Sequence, residues 1–286
     1  MVLRILRDFK KMQEIAHALR REAKTIGFVP TMGALHRGHL SLVRRARREN
    51  DYVIVSIFIN PVQFGPKEDF KKYPRNFKTD TLLCKKEGVD IIFYPSAGAM
   101  YPAGYKTYVE VEDLGDVLCG EFRSRHFRGV ATVVNKLFNI VQPTKAYFGQ
   151  KDAQQAIIIR KMVRDLNIPV QIRVLPTVRE ADGLAMSSRN SYLSPAERKQ
   201  ARVLSQALAL ARDLIKKGNR DSLLVIRKMH QLIKRKKDAR IQYICVVDPK
   251  TLAAVQKIKR QVLIALAVYI GKTRLIDNAL VNSKYA

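Results

Sequence analysis

The stretch IGFVPTMGALHRGHLSLVRRARRENDYVIVSIFIN, residues 26–60, decides the fold. It opens with a short apolar run over 26–30, which predicts a buried strand, and continues through a glycine-bearing turn into a helical segment over 38–48. It closes with YVIVSIFI at 52–59, which is β-branched or apolar almost throughout. Such a run is typical of a strand buried on both faces of a parallel sheet, so residues 26–60 predict a β-α-β unit.

The same alternation continues on both sides of this unit. Asp8 can cap a first helix, and a looser stretch over 95–125 contains a possible edge strand at 105–111. Further helices are predicted at 77–87, 130–141 and 153–166, and further strands at 89–94, 145–148 and 170–175. Strands that alternate with helices of this length predict an α/β, Rossmann-like, doubly wound parallel sheet, in which ligands bind beyond the carboxyl ends of the strands.

The pattern changes after residue 176. Two long helices are predicted over 195–217 and 221–236, followed by strand-like apolar runs at 243–247 and 262–270. This succession predicts a smaller C-terminal α+β domain. We therefore expect two domains, residues 1–177 and residues 178–286.

Charge is the unusual feature of the composition. Lys and Arg number 53 against 25 for Asp and Glu, a formal net charge of +28 among 286 residues, whereas the 47% hydrophobic content is ordinary for a globular protein. So basic a chain suggests nucleic acid or an anionic membrane surface as a partner. The basic residues are, however, spread over predicted helices, as at 44–48 and 234–237, and no block interleaves them with aromatic residues. We expect solvated helix faces and, at most, nonspecific polyanion binding.

Cysteine usage and hydropathy indicate the compartment. Cys84, Cys119 and Cys245 form no C-x-x-C pair, which argues against a disulfide framework and a zinc site. Residues 1–11 lack an apolar leader, and the most apolar run, 262–270, is too short to span a bilayer. These features predict a cytoplasmic protein with no membrane segment.

The strongest local motif is PTMGALHRGH at 30–39. A helix that starts directly after a strand presents unpaired N–H groups, and the positive end of its dipole favours phosphate. Gly33 and Gly38 allow the backbone to approach an anion closely, and His36 and His39 share one side of the first turn. A lone histidine is usually a surface or core residue, but two in H-x-G-H after a strand favour nucleotide binding. Zinc would need further ligands, which the neighbouring sequence does not supply.

H-x-G-H after a strand resembles the nucleotidylyltransferase superfamily, whose members also carry a second, mobile phosphate-binding motif. MSSR at 186–189 is its counterpart here, and it follows the flexible turn Asp182-Gly183. Serine hydroxyls and an arginine fork suit the β- and γ-phosphates. Two serines before an arginine are more often a helix cap when they occur alone.

An ordered set of further motifs narrows the resemblance. They are NPVQFG at 60–65, YPR at 73–75 with Asp80, HFRG at 126–129, GQKD at 149–152 with Gln154 and Gln155, DGLAMSSRN at 182–190, and RLIDN at 274–278. Together they resemble the pantothenate synthetase family from about residue 28 to residue 278. The resemblance implies that the carboxylate of (R)-pantoate attacks ATP with the assistance of Mg²⁺, giving pantoyl adenylate and pyrophosphate. The amine of β-alanine then displaces AMP to form pantothenate.

The resemblance also implies site residues. His39 would be the proton donor with His36 as its partner, Lys151 would face the α-phosphate, and Arg189 would clamp the outer phosphates. The implied ATP-binding residues are Met32, Gly33, Ala34, Leu35, His36, Arg37, Gly38, His39, Gly149, Gln150, Lys151, Asp152, Val178, Met186, Ser187, Ser188 and Arg189. The smaller domain would close over this site, and the protein would be a homodimer.

For the acceptor substrates, the resemblance implies Gln63, Gln155 and Asn60 around pantoate and Gln63 also at β-alanine. Neutral amides suit pantoate because its hydroxyl groups and carboxylate need both donors and acceptors. Asp80 is the expected magnesium-linked carboxylate, and His126 is expected at the rim.

Ordinary alternatives remain open for these positions. Asn60 and Gln63 could be turn formers, Lys151 and Asp152 a surface ion pair, and Asp80 a solvated carboxylate. Two rival functions also remain. A nucleotidylyltransferase acting on a phosphorylated acceptor should show more Lys or Arg near Gln63 and Gln155, and a nucleic-acid binder should show interleaved aromatic residues, yet the sequence has no Trp.

Overall fold

The structure is a computed structural model and describes residues 2–66 and 68–282. The chain forms two compact units. The first contains the chain up to Asp116 together with Gly120–Gln150 and Gln154–Pro176. The second contains Val117–Cys119, Lys151–Ala153 and the chain from Thr177 onward.

The first unit is built around a six-stranded sheet. The elements, in chain order, are β1 (Arg4–Leu6), α1 (Phe9–Arg21), β2 (Ile26–Thr31), α2 (Arg37–Glu49), β3 (Tyr52–Ile57), α3 (Phe77–Lys86), β4 (Ile91–Phe93), α4 (Ala97–Met100), α5 (Cys119–Phe122), α6 (His126–Val141), β5 (Lys145–Gly149), α7 (Ala153–Asp165) and β6 (Gln171–Leu175). The strands pair in parallel in the order β1-β4-β3-β2-β5-β6. The predicted doubly wound parallel sheet is therefore confirmed.

Alternate residues of each strand serve opposite faces of this sheet. In β2, Phe28 packs into a cluster with buried residues of α1, α6 and α7, whereas Val29 packs into a second cluster with residues of α2 and α3. In β3, Ile54 belongs to the first cluster and its neighbours Val53 and Val55 to the second. Because both faces are covered by helices, the strands need apolar residues at nearly every position, which explains the run at 52–57, interrupted by Ser56.

The strand order reverses next to β2. The chain passes from β2 to β3 on one side, whereas β5 enters on the other side of β2. In open α/β sheets such a reversal leaves a crevice at the carboxyl ends of the strands. The loop that follows β2, Met32–Leu35, and the turn that follows β5 leave the sheet at this edge.

The second unit has a three-stranded antiparallel sheet in the order β7-β8-β9. Its elements are α8 (Pro195–Ala201), α9 (Val203–Lys216), α10 (Ser222–Lys234), β7 (Ala239–Val247), β8 (Val262–Ile270) and β9 (Thr273–Val281). Buried residues of α9 and α10 form one apolar cluster with residues of all three strands. The central strand β8 is buried at nearly every position. The predicted smaller α+β domain is confirmed.

Three local expectations are corrected. Residues 105–111 do not form the expected edge strand, because the N–H of Val109 donates to the hydroxyl of Thr132 in α6 (2.9 Å) rather than to a neighbouring strand. The helix expected over 195–217 is interrupted at Arg202 and forms α8 and α9. The sequence patterns also missed two strands, β1 and β9. Within residues 2–66 and 68–282, no helix has the length and apolar character needed to cross a membrane.

Candidate active site

The loop between β2 and α2 turns sharply through two left-handed residues. Gly33 has φ of +79° and Ala34 has φ of +50°. A Cβ atom on Gly33 would lie 2.9 Å from Oδ2 of Asp80 and 3.0 Å from Cγ2 of Ile57. Glycine is therefore required at residue 33 both for its backbone conformation and for space.

Asp80 holds this loop in place. Its Oδ2 accepts a hydrogen bond from the N–H of Ala34 (2.9 Å), and its Oδ1 accepts one from the N–H of Leu35 (2.7 Å). The residue is only 2% exposed, in the first turn of α3. Burial raises the pKa of this carboxyl above its ordinary value, and the two N–H groups act in the opposite direction. Asp80 is thus an anchor for the loop that precedes the two histidines.

The two histidines cap α2 reciprocally. Nδ1 of His36 accepts from the N–H of Gly38 (3.1 Å), and Nδ1 of His39 accepts from the N–H of His36 (3.3 Å). Their rings stack with centroids 4.1 Å apart. Because Nδ1 of each ring is an acceptor, the proton of each neutral ring resides on Nε2. The start of α2 therefore carries two imidazole Nε2–H donors, the kind of group that stabilises a phosphate oxygen.

Asn60 and Gln63 lie in the turn that leaves β3. Asn60 is 1% exposed and donates from Nδ2 to Oε1 of Gln63 (3.1 Å) and to the carbonyl oxygen of Gly129 (3.0 Å). Gln63 is 8% exposed, and its Nε2 lies 3.2 Å from the sulfur of Met32. Asn60 also accepts from the N–H of Val62 (3.3 Å), which is the turn-forming role considered from the sequence. The structure thus joins Asn60 and Gln63, two of the three predicted pantoate residues, to Met32, the first residue of the phosphate loop.

A cavity of about 460 Å³ borders the same loop. Its lining includes Met32, Gly33, Ala34 and Asp80, residues 57–59 at and just after the end of β3, and Tyr94–Ala97 directly after β4. Apart from Asp80, which lies in α3, these residues end or follow strands at the carboxyl edge of the sheet. The open space at this edge is where a doubly wound sheet places its ligands.

The remaining predicted residues of the sheet region fall after β5. Gly149 ends β5, and Gln150–Asp152 form a single 3₁₀ turn before α7. Lys151 and Asp152 form an ion pair (Nζ to Oδ1, 3.5 Å), as in the ordinary alternative. Gln155 is half-buried in the first turn of α7, whereas its neighbour Gln154 is buried and donates to the carbonyl oxygen of Leu114 (2.9 Å).

The second predicted phosphate motif belongs to the second unit. The N–H of Met186 donates to the carbonyl oxygen of Val178 (3.0 Å), which closes a tight turn around Gly183 with φ of +88°. Oγ of Ser187 accepts from the N–H of Arg189 (3.2 Å) and caps the 3₁₀ turn Ser188–Tyr192. The segment is therefore an ordered hairpin followed by a short capped turn.

Two residues of β9 form hydrogen bonds to segments that contain predicted site residues. The sequence alone suggested no individual role for either of them. Asp277, almost fully buried, accepts two hydrogen bonds from the guanidinium of Arg179 (2.6 and 3.0 Å). Asn278 donates from Nδ2 to the carbonyl oxygen of Lys151 (2.9 Å). RLIDN at 274–278 was part of the ordered motif set, but a motif match does not reveal which distant segment each side chain contacts.

Asp80 is the carboxylate expected to be linked to magnesium. Within the described part of the chain, no group of three or more His, Cys, Asp or Glu side chains could hold a metal ion. Both oxygens of Asp80 already accept backbone N–H groups. These contacts give Asp80 a role in holding the loop, and its expected link to magnesium stays a prediction.

Comparisons with known proteins agree with the motifs. The family model described as pantoate-beta-alanine ligase matches residues 4–280. A pantothenate synthetase of Caldicellulosiruptor bescii is 55% identical over 280 residues, covering 98% of this chain and 99% of that protein. A pantothenate synthetase of Thermotoga neapolitana is 54% identical over 278 residues, with 97% and 99% coverage.

Solved structures agree as well. The crystal structure of pantothenate synthetase from Thermus thermophilus superposes with a TM-score of 0.91 at 45% identity, covering 96% of this chain and 98% of that one. A pantoate-beta-alanine ligase from Francisella tularensis, complexed with beta-gamma ATP and beta-alanine, superposes with a TM-score of 0.81 at 38% identity and 98% coverage of both chains. The resemblance drawn from the motifs is confirmed, and the chain belongs to the pantoate–β-alanine ligase family.

Proposed function

We propose that the protein joins (R)-pantoate to β-alanine at the expense of ATP and forms pantothenate. The observation that carries this proposal is the start of α2, where a loop anchored by Asp80 delivers two histidines whose Nε2 atoms are donors. The chain matches the ligase family over residues 4–280. The two histidine donors at the start of α2 can stabilise the charge that develops on ATP phosphates during the reaction.

The proposed reaction has two steps. A carboxylate oxygen of pantoate attacks the α-phosphorus of ATP, the bond to the bridging oxygen of the β-phosphate breaks, and pyrophosphate leaves. The amine of β-alanine then attacks the acyl carbon of pantoyl adenylate. The acyl–oxygen bond breaks, AMP leaves, and the new amide nitrogen loses a proton.

For the nucleotide, Met32–His39, Gly149–Asp152, Val178 and Met186–Arg189 are the proposed contacts. Nε2–H of His39, with His36 beside it, donates to the phosphate oxygens on which charge develops in the first step. Lys151 is proposed at the α-phosphate, where a point charge is useful without fixed geometry. Arg189 is proposed at the outer phosphates, which its planar fork can bind in a bidentate manner.

For the acceptor, Gln63, Gln155 and Asn60 are the proposed pantoate contacts, with Gln63 also at β-alanine. The nearest partner of Gln63 Nε2 is a thioether sulfur, which is a weak acceptor. A carboxylate or hydroxyl oxygen of pantoate would be a much stronger acceptor for the same N–H. Asn60 donates to Oε1 of Gln63 and so fixes which end of the amide faces that acceptor.

Five further properties are part of the proposal. Mg²⁺ enters as a component of the MgATP substrate, since this ion favours phosphate oxygens and water over a protein cage. The second unit closes over the bound nucleotide through residues 183–190, and two chains form a homodimer, as the resemblance implies. Three free cysteines suit a cytoplasmic location. The net charge of +28 confers nonspecific polyanion binding that weakens steeply with added salt.

The decisive assay combines the protein with ATP, Mg²⁺ and pantoate, with and without β-alanine, and follows AMP, pyrophosphate and pantothenate. We expect one AMP for each pantothenate and sustained AMP release only when β-alanine is present. Release of AMP that is independent of β-alanine would contradict the ligase function. Pyrophosphate release without AMP, on a phosphorylated acceptor, would instead support the rival nucleotidylyl transfer.

A further inference from the structure

His126, at the start of α6, contacts the backbone of the residue proposed to bind pantoate. Its Nδ1 lies 2.7 Å from the carbonyl oxygen of Gln63, and its Nε2 lies 2.8 Å from Nη1 of Arg123. The imidazole thus bridges an arginine on one side and the turn that leaves β3 on the other.

The chemistry of these partners determines the tautomer of His126. A guanidinium can only donate, so Nε2 must accept the hydrogen bond from Arg123 and carries no proton. A carbonyl oxygen can only accept, so Nδ1 must carry the proton and donate to Gln63. The geometry therefore requires a neutral imidazole with its proton on Nδ1, the reverse of the tautomer at His36 and His39.

Glu68 keeps Arg123 in the orientation that sets this tautomer. Its two carboxylate oxygens accept from Nε and Nη2 of Arg123, each at 2.6 Å, in a bidentate pair. Burial raises the pKa of Glu68, but the hydrogen bonding and charge of Arg123, joined by the interactions with His126 and the N–H of Gly65, outweigh it and leave the pKa below its ordinary value. A carboxylate thus fixes a guanidinium, and the guanidinium fixes the ring.

The first turn of α6 also approaches the Gln63 turn through Gly129. A Cβ atom at Gly129 would lie 2.7 Å from the carbonyl oxygen of Val62 and 2.8 Å from Cα of Gln63. The carbonyl oxygen of Gly129 accepts from Asn60, which in turn donates to the side chain of Gln63. Two residues of HFRG, His126 and Gly129, therefore contact the backbone of this turn directly.

We propose that His126 is a positioning residue for Gln63, acting through its Nδ1–H and held in that tautomer by Arg123 and Glu68. The backbone hydrogen bond at Gln63 sets where the Cα atom stands and hence where the amide of its side chain reaches. The inference rests on the proposed function of Gln63 in binding pantoate. It predicts that loss of the Nδ1–H donor weakens pantoate binding and leaves ATP binding unchanged.

The test uses two amides that mimic opposite nitrogens of the ring. The amide nitrogen of His126→Asn can occupy the place of Nδ1 and keep the donor to Gln63, whereas that of His126→Gln reaches toward the place of Nε2. We expect the KM for pantoate to rise about five- to tenfold in H126Q, the range that one neutral hydrogen bond contributes, and less than about threefold in H126N. The KM for ATP should stay within about twofold of wild type in both.

His17→Gln, at an exposed histidine of α1, is the matched control and should leave both KM values unchanged. Pantoate binding in H126Q as tight as in H126N would overturn the inference, and so would a parallel rise in the KM for ATP. Wild-type protein that forms no pantothenate would refute the proposed function instead.

A second measurement does not depend on turnover. Nitrogen-15 NMR of histidine-labelled wild-type protein, with His126 assigned from H126N, should show Nε2 unprotonated and Nδ1 protonated. Arg123→Met should remove this preference and populate the other tautomer. A wild-type His126 with its proton on Nε2 would overturn the inference, whatever the activity of the protein.

Discussion

Asp80→Asn tests whether a carboxylate is what holds the phosphate loop. The aspartate accepts from the N–H groups of Ala34 and Leu35, one on each oxygen. Asparagine keeps one oxygen acceptor for one of these N–H groups. Its amide NH2 group would face the other N–H, so two donors would meet there with no acceptor. A hydrogen bond to a charged group is worth about 1.5–3 kcal/mol, and an unsatisfied buried donor costs a comparable amount. We therefore expect the native loop geometry to lose about 2–3 kcal/mol.

The stability of the fold should change less than the activity. Burial raises the pKa of Asp80, so the wild-type protein incurs a cost for a buried charge that the variant does not. This relief offsets part of the lost hydrogen bonding, and we expect the free energy of unfolding to change by about 1 kcal/mol or less. The distorted loop remains, and it should lower kcat/KM for ATP by about 30- to 150-fold.

Steady-state kinetics with varied ATP and urea unfolding at pH 7 measure the two effects separately. Asp165→Asn is the control, because this exposed carboxylate pairs with two basic neighbours on its own helix, Lys161 and Arg164, and should change neither quantity measurably. A D80N enzyme with kcat/KM within threefold of wild type would refute the anchoring role. Recovery of D80N activity at raised Mg²⁺ would show that Asp80 serves the metal instead.

Three further predictions follow from other contacts. His39→Ala should slow adenylate formation by at least about 10²-fold, measured as pyrophosphate exchange into ATP with pantoate alone; a near wild-type rate would remove His39 from the chemistry. Gly129→Ala should lower the free energy of unfolding in urea by about 1–3 kcal/mol, whereas Gly98→Ala, which has open space around its Cβ, should not; equal effects would contradict the close approach. Arg123 lowers the pKa of Glu68, so the ionised carboxylate stabilises the folded protein. The difference in free energy of unfolding between wild type and Glu68→Gln, measured in urea titrations at several pH values, should be complete above pH 4.5, the ordinary pKa, and shrink as the pH falls below it. A difference that grows on acidification would contradict this prediction.

Local pattern was sufficient to predict the main elements. The buried run at 52–57 and the strand–turn–helix at 26–49 needed only apolar periodicity and turn residues, and β3, β2 and α2 lie where these predicted. Patterns failed where a segment is short or depends on a distant partner. β1 has three residues and acquires its structure by pairing with β4, and the extended stretch around Val109 is satisfied by a hydroxyl of α6 rather than by a strand.

The candidate site divides in the same way. H-x-G-H, the candidate amides Gln63, Gln155 and Asn60, and the family resemblance could be recognised from the sequence because residue types and spacing carry them. The roles of Asp80, His126 and Asp277 could not, since each contacts a backbone or side chain at least 45 residues away in the chain. Their spacing in the sequence says nothing about direction or distance in the fold.

By itself, then, the sequence determined the alternation of strands and helices, the phosphate-binding helix start and the family to which the chain belongs. Only the tertiary structure decided that Asp80 accepts the N–H groups of the loop before the two histidines, and that His126 lies between the guanidinium of Arg123 and the carbonyl oxygen of Gln63. The physical reason is that periodicity and motifs are properties of neighbouring residues. A hydrogen bond's partner, and hence a carboxylate's burial or an imidazole's tautomer, exists only once distant segments have been packed together.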